Sequence, residues 1–392
     1  MKQIALDRFG TDEIISLYKD KPVIKVLQGI RRSGKSFMLE LLSRKILESG
    51  AAENQILLLN MEDFENAEFL DSKKLYDFIK SKSEAAGGKK LYLFLDEIQE
   101  VSGWEKLVNS LYSSATIDAD IYITGSNANL LSSELATYLS GRYVLIHVWP
   151  LSYREFLHFN SESDSAAAFR KFIKFGGFPG LKDMMENPVQ IRSYLEGIYS
   201  TVLLKDVIAR NRIRDTAVLE KIILYIADNT GNIFSAKRIS DFMKSGGRPL
   251  SVETIYNDIK YLENALVLYK VPRYDVRGKK ILETMEKYYL ADQGLLTFLH
   301  GYKDTYINGI LENIVFIELL RRGYKVFIGK IGDAEIDFAA EKNGEKLYVQ
   351  VAYLISSEET KEREIRPLKS ILALGDNFPK LILTMDELQP SN

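Results

Sequence analysis

Five short apolar runs, separated by helix-like segments, dominate the first 150 residues of the chain. The segments between them place apolar residues at helical spacing, most clearly over Gly34–Glu48 and Lys73–Ser83. Nearly continuous apolar strands that alternate with helices indicate a parallel sheet buried on both faces. The predicted strands are Pro22–Gln28, Gln55–Asn60, Lys90–Leu95, Asp120–Thr124 and Arg142–Val148.

After Pro150 the pattern changes three times. Residues 151–230 are mainly helical, with a turn-rich hinge or loop at Phe175–Gly180. Residues 231–300 predict a helix (Ser235–Met243), a turn (246–249), a second helix (Ser251–Ala265) and a β-ribbon made of Leu266–Val271 and Lys279–Tyr289. Residues 301–392 predict a helix, three strands, a charged helix and a last strand at Lys380–Thr384. We therefore expect four regions, 1–150, 151–230, 231–300 and 301–392.

Composition excludes several classes of protein. The 392 residues carry 52 basic and 54 acidic side chains, so no global positive charge indicates nucleic-acid binding, and any such surface must be local. With no cysteine, the chain has no disulfide, thiolate metal site or cysteine nucleophile. Charges scattered through the first residues argue against a signal peptide. No apolar run approaches the ~18 residues of a membrane span. We expect a cytoplasmic protein without a membrane partner.

The sequence Gly29-Ile-Arg-Arg-Ser-Gly-Lys-Ser36 matches the phosphate-binding pattern G-x-x-x-x-G-K-[ST] and lies between a predicted strand and a helix, as that motif requires. Backbone N–H groups and the helix N-terminus would cradle a polyphosphate. Lys35 would reach the β- and γ-phosphates, and the Ser36 hydroxyl would ligate Mg²⁺. The predicted nucleotide contacts are Gly29, Arg31, Arg32, Ser33, Gly34, Lys35, Ser36 and Phe37.

Two carboxylates, Asp96 and Glu97, end the third apolar run. Asp96 would hold Mg²⁺ through water, and Glu97 would act as general base on the attacking water. A strand intervenes between the two motifs, which favours the ATPase branch of P-loop proteins with an added strand, and no N-K-x-D motif of GTPases is present. Ser126 or Asn127, after the fourth strand, would sense the γ-phosphate or simply form a turn. Arg142 is the candidate phosphate-sensing arginine, with a plain surface arginine as the alternative.

A series of motifs, in this order, resembles a large prokaryotic group of AAA-type ATP-binding proteins with a C-terminal domain of unknown function. The motifs are GIRRSGKS, LFLDEIQ, ITGSN, LSGRY with PLSYREF, FGGFP, and EIDF followed by VQVAY. The resemblance implies a P-loop ATPase core, a winged helix and a restriction-endonuclease-like module. The expected fold is an α/β P-loop ATPase core, then a mainly helical winged-helix region and a small α/β nuclease-like domain.

The predicted ribbon carries a basic tip, because residues 270–280 hold five basic side chains and one acidic one. In a winged helix that binds DNA, the second helix enters the major groove and the ribbon contacts phosphates. The alternative is a winged helix that contacts protein or covers the ATPase site. The candidate DNA contacts are Lys260, Arg277, Lys279 and Lys280.

The C-terminal region resembles the PD-(D/E)xK nuclease core, with Glu312, Asp337 and Gln350 at its site positions. An active enzyme of this type has an acid and a lysine two apart on the last of these strands, where this chain has Gln350 and Ala352. We therefore predict a degenerate nuclease site that cleaves no DNA. The leading hypothesis is a Mg²⁺-dependent ATPase with a winged helix that transmits the nucleotide state, with binding of duplex DNA and binding of protein left as alternatives for that helix. The alternatives are a nucleotide-gated protein-binding scaffold and an ATP-controlled nuclease, and an oligomer remains open.

Overall fold

The computed structural model describes residues 10–386 apart from 126–138, 140, 214, 246–248 and 356. The chain divides into two compact units. The first holds residues up to 162 with 178–182 and 264–266, and the second holds 163–177, 183–263 and the chain from 267 onward. Within the described residues, no helix is both long and apolar enough to cross a membrane.

A five-stranded sheet forms the centre of the first unit, and all of its strand pairs are parallel. Its spatial order is β2-β3-β4-β1-β5, so β4 lies between the strand that precedes the P-loop and the strand that ends in the acidic pair. The parallel α/β sheet predicted from the apolar runs is confirmed. The strands are β1 (Ile24–Gln28), β2 (Ile56–Asn60), β3 (Leu91–Asp96), β4 (Ala119–Gly125) and β5 (Tyr143–His147).

Alternation along the strands explains why both faces of this sheet are buried. Leu91, Leu93 and Leu95 pack into one apolar cluster, whereas Tyr92 and Phe94 between them pack into a second cluster on the other face. Successive side chains of a strand point to opposite faces, so a continuous apolar run serves two cores at once. The helices of the first unit are α1 (Thr11–Tyr18), α2 (Lys35–Glu48), α3 (Ser72–Ala85), α4 (Trp104–Tyr112) and Tyr153–Asn160.

The second unit combines helices with a six-stranded mixed sheet of order β11-β10-β9-β8-β6-β7. Its strands are β6 (Leu268–Asp275), β7 (Lys280–Leu290), β8 (Lys325–Ile331), β9 (Ala334–Lys342), β10 (Glu345–Ala352) and β11 (Lys380–Thr384). Its helices are Ala166–Phe175, Pro188–Thr201, the π-helical segment Val202–Ala209, Thr216–Asp228, Ala236–Ser245, Val252–Asn264, Gln293–His300, Ile307–Arg321 and Glu358–Ala373.

The predicted helix–helix–ribbon order of residues 231–290 is present, although most of the turn expected at 246–249 lies outside the described residues. The expected boundary between 231–300 and 301–392 is not present. β6 pairs with β7 as an antiparallel hairpin and also with β8 in parallel, through Arg273–Asp275 against Ile328–Lys330. The hairpin is therefore part of one sheet with the C-terminal strands, and the two regions are not separate domains.

The FGG turn of the second unit closes around a buried carboxylate. Asp292 accepts hydrogen bonds from the backbone N–H of Gly177 and of Gly294, each at 2.7 Å. Gly176 has φ +83°, and a Cβ there would lie 1.9 Å from Asp292 Oδ1. Only glycine fits this approach. Burial raises the pKa of Asp292 to about 6, although both N–H groups favour the carboxylate.

We expect Asp292→Asn to change the pH dependence of stability. The folded chain holds the Asp292 proton more tightly than the unfolded chain, so this carboxyl stabilises the fold at low pH and that contribution is lost as the pH rises through about 6. A pKa raised from 3.8 to about 6 corresponds to roughly 3 kcal/mol. Between about pH 4 and pH 6, wild type should lose up to this amount of unfolding free energy relative to the variant, measured by urea unfolding.

Asp71→Asn is the matched control, because Asp71 caps α3 and accepts from the backbone N–H of Lys73 and Lys74. Those bonds lower the pKa of Asp71, so the contribution of Asp71 to the free energy of unfolding grows as the pH rises. The expected pH slope for Asp71 is therefore opposite in sign to that for Asp292. Equal pH slopes for wild type and Asp292→Asn would contradict the buried-carboxyl explanation.

Candidate nucleotide-binding site

The P-loop connects β1 to α2 at the carboxyl end of the parallel sheet, and two glycines shape it. Gly34 has φ +96°, a left-handed conformation that allows the chain to turn directly into α2. At Gly29, a Cβ would lie 2.2 Å from the Val148 carbonyl oxygen, so no larger residue fits. The loop therefore presents backbone where a phosphate would approach.

Lys35, the first residue of α2, is buried, and its ammonium stays within the loop. Its Nζ donates to the carbonyl oxygens of Gly29 at 3.2 Å and Ile30 at 3.5 Å. It also lies 3.6 Å from Glu97 Oε1. The lysine of the first motif and the second acid of the other motif are therefore brought together, as the sequence predicts.

Asp96, at the end of β3, is joined to both neighbouring elements. Its Oδ1 accepts a short hydrogen bond from the Thr124 hydroxyl at the end of β4, and the Ser36 hydroxyl lies close enough to favour its ionised form. Burial raises the pKa of Asp96, whereas these two hydroxyls favour its ionised form. Ser36 itself is exposed at the N-terminus of α2. The buried Asp96 carboxylate is thus held in place next to the solvent-accessible Ser36 hydroxyl.

Glu97 has an unusual backbone conformation that sets the direction of its side chain. Its φ of +50° is left-handed, which is uncommon for a residue other than glycine. Its N–H donates to Thr124 Oγ1 at 2.9 Å, and its Oε2 accepts a short hydrogen bond from the Gln99 amide. Strained conformations of this kind persist where the surroundings fix them, often at functional sites.

Thr124 is the site residue that sequence reasoning missed. It is fully buried and links Asp96 to the backbone of Glu97. The polar residues after the fourth strand signalled this position, but the prediction assigned Ser126 and Asn127, which lie outside the described residues. A threonine that ends a buried strand beside two acids was the available signal.

The remaining predicted nucleotide contacts lie around the same loop. Arg31 Nη1 is 3.2 Å from Glu62 Oε1, and Arg32 is exposed with φ +63°. Ser33 is buried. The ring of Phe37 meets that of Phe159 edge-on, with centroids 6.3 Å apart.

Arg142 lies at the amino end of the parallel strands, whereas the P-loop lies at their carboxyl end. Its carbonyl accepts from the N–H of Ile24, the first residue of β1, whereas the P-loop follows the last. Its guanidinium donates to Asn109 Oδ1 and lies over the Tyr112 ring, with Cζ 5.5 Å from the centroid. The structure therefore does not bring Arg142 to the nucleotide site of its own chain, because the strand length separates them.

The candidate DNA contacts are exposed but differ in their surroundings. Lys260 lies on helix Val252–Asn264, with Nζ 3.4 Å from Glu263 Oε2. Of the other ribbon basics, Lys270 pairs with Glu286 at 3.5 Å and Arg273 is buried. Within the described part of the chain, no carboxylate pairs with the three basic residues at the hairpin turn. These are Arg277, Lys279 and Lys280.

The acids predicted for the degenerate nuclease site lie close together, with a lysine between them. Lys287 Nζ, from β7, is 3.5 Å from Glu312 Oε2 and 3.9 Å from Asp337 Oδ1. The Gln350 amide bonds to groups other than the Asp337 carboxylate: its Nε2 donates to Glu364 Oε2 at 2.8 Å, and its Oε1 accepts from the backbone N–H of Asp337 at 3.4 Å. No sequence motif indicated that Lys287 belongs to this group, since it lies on a strand of the ribbon.

Two other lysines near these strands are engaged elsewhere. Lys346 Nζ donates to the Tyr274 hydroxyl at 3.0 Å, and Lys361 pairs with Glu358 at 3.2 Å. Neither replaces the missing lysine at position 352.

Two family models match parts of this chain. Residues 21–157 match a family model described as an AAA domain, and residues 166–306 match one described as a domain of unknown function (DUF8612). A solved structure of the replication initiator DnaA bound to AMPPCP and single-stranded DNA is similar at a TM-score of 0.33 and 15% identity, over 64% of this chain and 86% of that chain.

Two relatives match nearly the whole chain. An uncharacterized protein of Haemophilus influenzae is 43% identical over 371 residues, which are 94% of this chain and 90% of that protein. An uncharacterized protein of Methanocaldococcus jannaschii is 31% identical over 384 residues, 93% of this chain and 82% of that protein. The chain therefore belongs to the family of these two proteins, and its residues 21–157 form an AAA-type P-loop ATPase domain.

Proposed function

We propose that the protein binds ATP with Mg²⁺ and hydrolyses it. The observation that carries this proposal is the convergence of Lys35, Ser36, Asp96 and Glu97 at one edge of the sheet. The P-loop backbone and the N-terminus of α2 would hold the phosphates. A phosphate oxygen would compete with Glu97 and with the loop carbonyls for the Lys35 ammonium.

The residues present fit a magnesium ion. The Ser36 hydroxyl lies beside the Asp96 carboxylate and favours its ionised form. Mg²⁺ prefers oxygen ligands of these kinds and takes only one or two of them from the protein. Among the described residues, no three His, Cys, Asp or Glu side chains form a metal-binding group. Ser36 and Asp96 would thus hold the ion together with phosphate and water. Bound there, the ion would neutralise charge that develops on the phosphates.

Glu97 is the proposed general base, and its neighbours position it. Gln99 holds one carboxylate oxygen and Lys35 faces the other. Thr124 fixes the Glu97 backbone and the Asp96 carboxylate together. A water on the γ-phosphate side would donate its proton to Glu97 as it attacks. A role for Arg142 in this reaction would require a neighbouring copy of the chain.

The test is phosphate release from ATP, measured with Mg²⁺ and with a chelator, alone and with duplex or single-stranded DNA. We expect turnover that needs Mg²⁺. Stimulation by DNA would support coupling to a DNA-binding module, whereas equal rates would favour a scaffold that binds protein. No turnover under any condition would refute the ATPase proposal.

Duplex DNA binding by a winged helix is the second candidate function. Supporting it are the helix–helix–hairpin order and the exposed, unpaired cations of the β6–β7 turn. Among the described residues, the Asp275 carboxylate forms no ion pair with them; it accepts from the N–H groups of Arg277 and Gly278 at 3.1 Å and shapes the turn. Against it stands the pairing of β6 with β8, which embeds the hairpin in a larger sheet.

Neutralising Arg277, Lys279 and Lys280 together should weaken the salt dependence of duplex binding. Three lost phosphate contacts should flatten the slope of log K against log[salt] by ~2.7, because each contact releases about 0.9 counterion. Fluorescence anisotropy over a salt series measures the slope. The matched control neutralises Lys73, Lys74 and Lys82, exposed on α3, and should leave it unchanged. An unchanged slope in the hairpin variant would favour protein contacts.

A further inference from the structure

Lys287 is a buried lysine surrounded by three carboxylates from two other elements. Its Nζ is 2.7 Å from Glu335 Oε1, 3.5 Å from Glu312 Oε2 and 3.9 Å from Asp337 Oδ1. Its side chain is 3% exposed. Glu335 and Asp337 lie on β9, and Glu312 lies on helix Ile307–Arg321. One ammonium therefore connects β7, β9 and this helix.

Groups other than Lys287 also hydrogen-bond to these carboxylates. Glu312 Oε2 accepts from the Tyr289 hydroxyl at 2.8 Å, and Asp337 Oδ2 accepts from the N–H of Val351 at 2.8 Å. Gly231 closes the centre on another side, since a Cβ there would lie 3.0 Å from Glu312 Oε1. Glu335, with its side chain 31% exposed, is the most accessible of the three carboxylates.

The lysine and the buried carboxyl groups favour each other's ionised forms. Burial raises the pKa of Glu312 to about 8 and that of Asp337 to about 6, while Lys287 favours the ionised form of both. The surrounding carboxylates raise the pKa of Lys287, so its ammonium stays charged despite burial. Removing one partner of a buried ion pair leaves an uncompensated charge, which is strongly destabilising.

We propose that the Lys287 ammonium is the resident cation of this centre, seated where a divalent ion would otherwise be bound by Glu312, Glu335 and Asp337. The centre is then a metal-free version of the nuclease-like site. It ties the hairpin to the C-terminal strands instead of activating water. Among the described residues, these carboxylates do not form a metal-ligand set with the ammonium present.

The same arrangement accounts for the departures from the nuclease pattern. A lysine at position 352 would add a second positive charge beside the ammonium of Lys287 on β7. The alanine found at position 352 adds no charge. Gln350 is bonded to Glu364 and to the backbone of Asp337, so it supports the fold around the centre and adds no negative charge to it.

The test is Mn²⁺ binding by the Lys287→Ala variant in the absence of nucleotide. Equilibrium dialysis measures the number of ions bound, and thermal unfolding measures the stabilisation. The variant should bind about one more Mn²⁺ per chain than wild type. At Mn²⁺ well above its dissociation constant, the thermal midpoint should rise by roughly 5 °C or more. Lys287→Ala/Asp337→Asn, which lacks one ligand, should gain no ion and no such rise. The P-loop is identical in all three proteins, so binding there cancels in the comparison.

Lys25→Ala is the matched control for loss of a buried lysine. Lys25 is fully buried in the first unit, and its ammonium pairs with a single carboxylate, that of Asp120. This variant should be destabilised but should gain no Mn²⁺. A Lys287→Ala protein that Mn²⁺ fails to stabilise, whether it is folded or not, overturns the proposal. So does Mn²⁺ binding or plasmid nicking by wild type that disappears in Asp337→Asn.

Discussion

Replacing Lys35 with alanine should lower ATP affinity or ATP turnover by at least ~10²-fold. The ammonium contacts two P-loop carbonyls and lies 3.6 Å from Glu97. Without it, the β- and γ-phosphates would lose the cation that the P-loop holds directly beside them. Loss of one positioned donor to a developing anion costs a factor of this size in other enzymes. Binding of a fluorescent ATP analogue and steady-state phosphate release measure the two effects separately.

Lys45→Ala provides the control for Lys35→Ala. Lys45 lies in the last turn of the same helix and pairs with Asp12 on α1, away from the loop. Both variants remove one lysine from α2, but only Lys35→Ala should affect nucleotide binding. Normal affinity and normal turnover in Lys35→Ala would refute the P-loop assignment.

Replacing Glu97 with glutamine should leave ATP bound and slow its hydrolysis by ~10²-fold or more, which is the usual contribution of a positioned general base. Glutamine preserves the size of the side chain but cannot take a proton from water. The substitution also removes the negative charge that faces Lys35, so ATP affinity should be equal or higher. Single-turnover hydrolysis, measured beside equilibrium binding, separates the chemical step from affinity.

Glu100→Gln distinguishes the proposed base from its nearest acidic neighbour in the same turn. Glu100 is exposed, and we expect its substitution to leave the rate unchanged. If Glu100→Gln were slow and Glu97→Gln were normal, the base would have been assigned to the wrong acid.

The sequence predicts the first unit well because its signals are local. Each strand of the parallel sheet is a contiguous apolar run, and each half of the nucleotide site is a short motif placed where a strand ends. Burial of Leu93 on one face and Phe94 on the other follows from alternation alone. Thr124 was missed because its role depends on two partners from another strand, Asp96 and Glu97.

Non-local pairing explains what the sequence did not show. The contact of β6 with β8 joins strands that lie far apart in the chain, and no periodicity within either strand specifies it. The role of Lys287 is also set by residues distant in the chain, since within its own strand it resembles a solvated lysine of the ribbon. Its carboxylate neighbours come from β9 and from a separate helix. Arg142 lies at the amino end of β5, a position that its place at the start of a predicted parallel strand already indicated.

The shared six-stranded sheet limits how this protein can be divided for experiments. A chain cut near residue 300 would separate β6 from β8 and leave an open strand edge on both fragments. Exposed edges of this kind pair with other chains and promote aggregation. The same cut would remove Glu312, Glu335 and Asp337 from the fragment that carries Lys287. DNA-binding measurements therefore belong on the full chain, because residues 178–182 and 264–266 are part of the first unit.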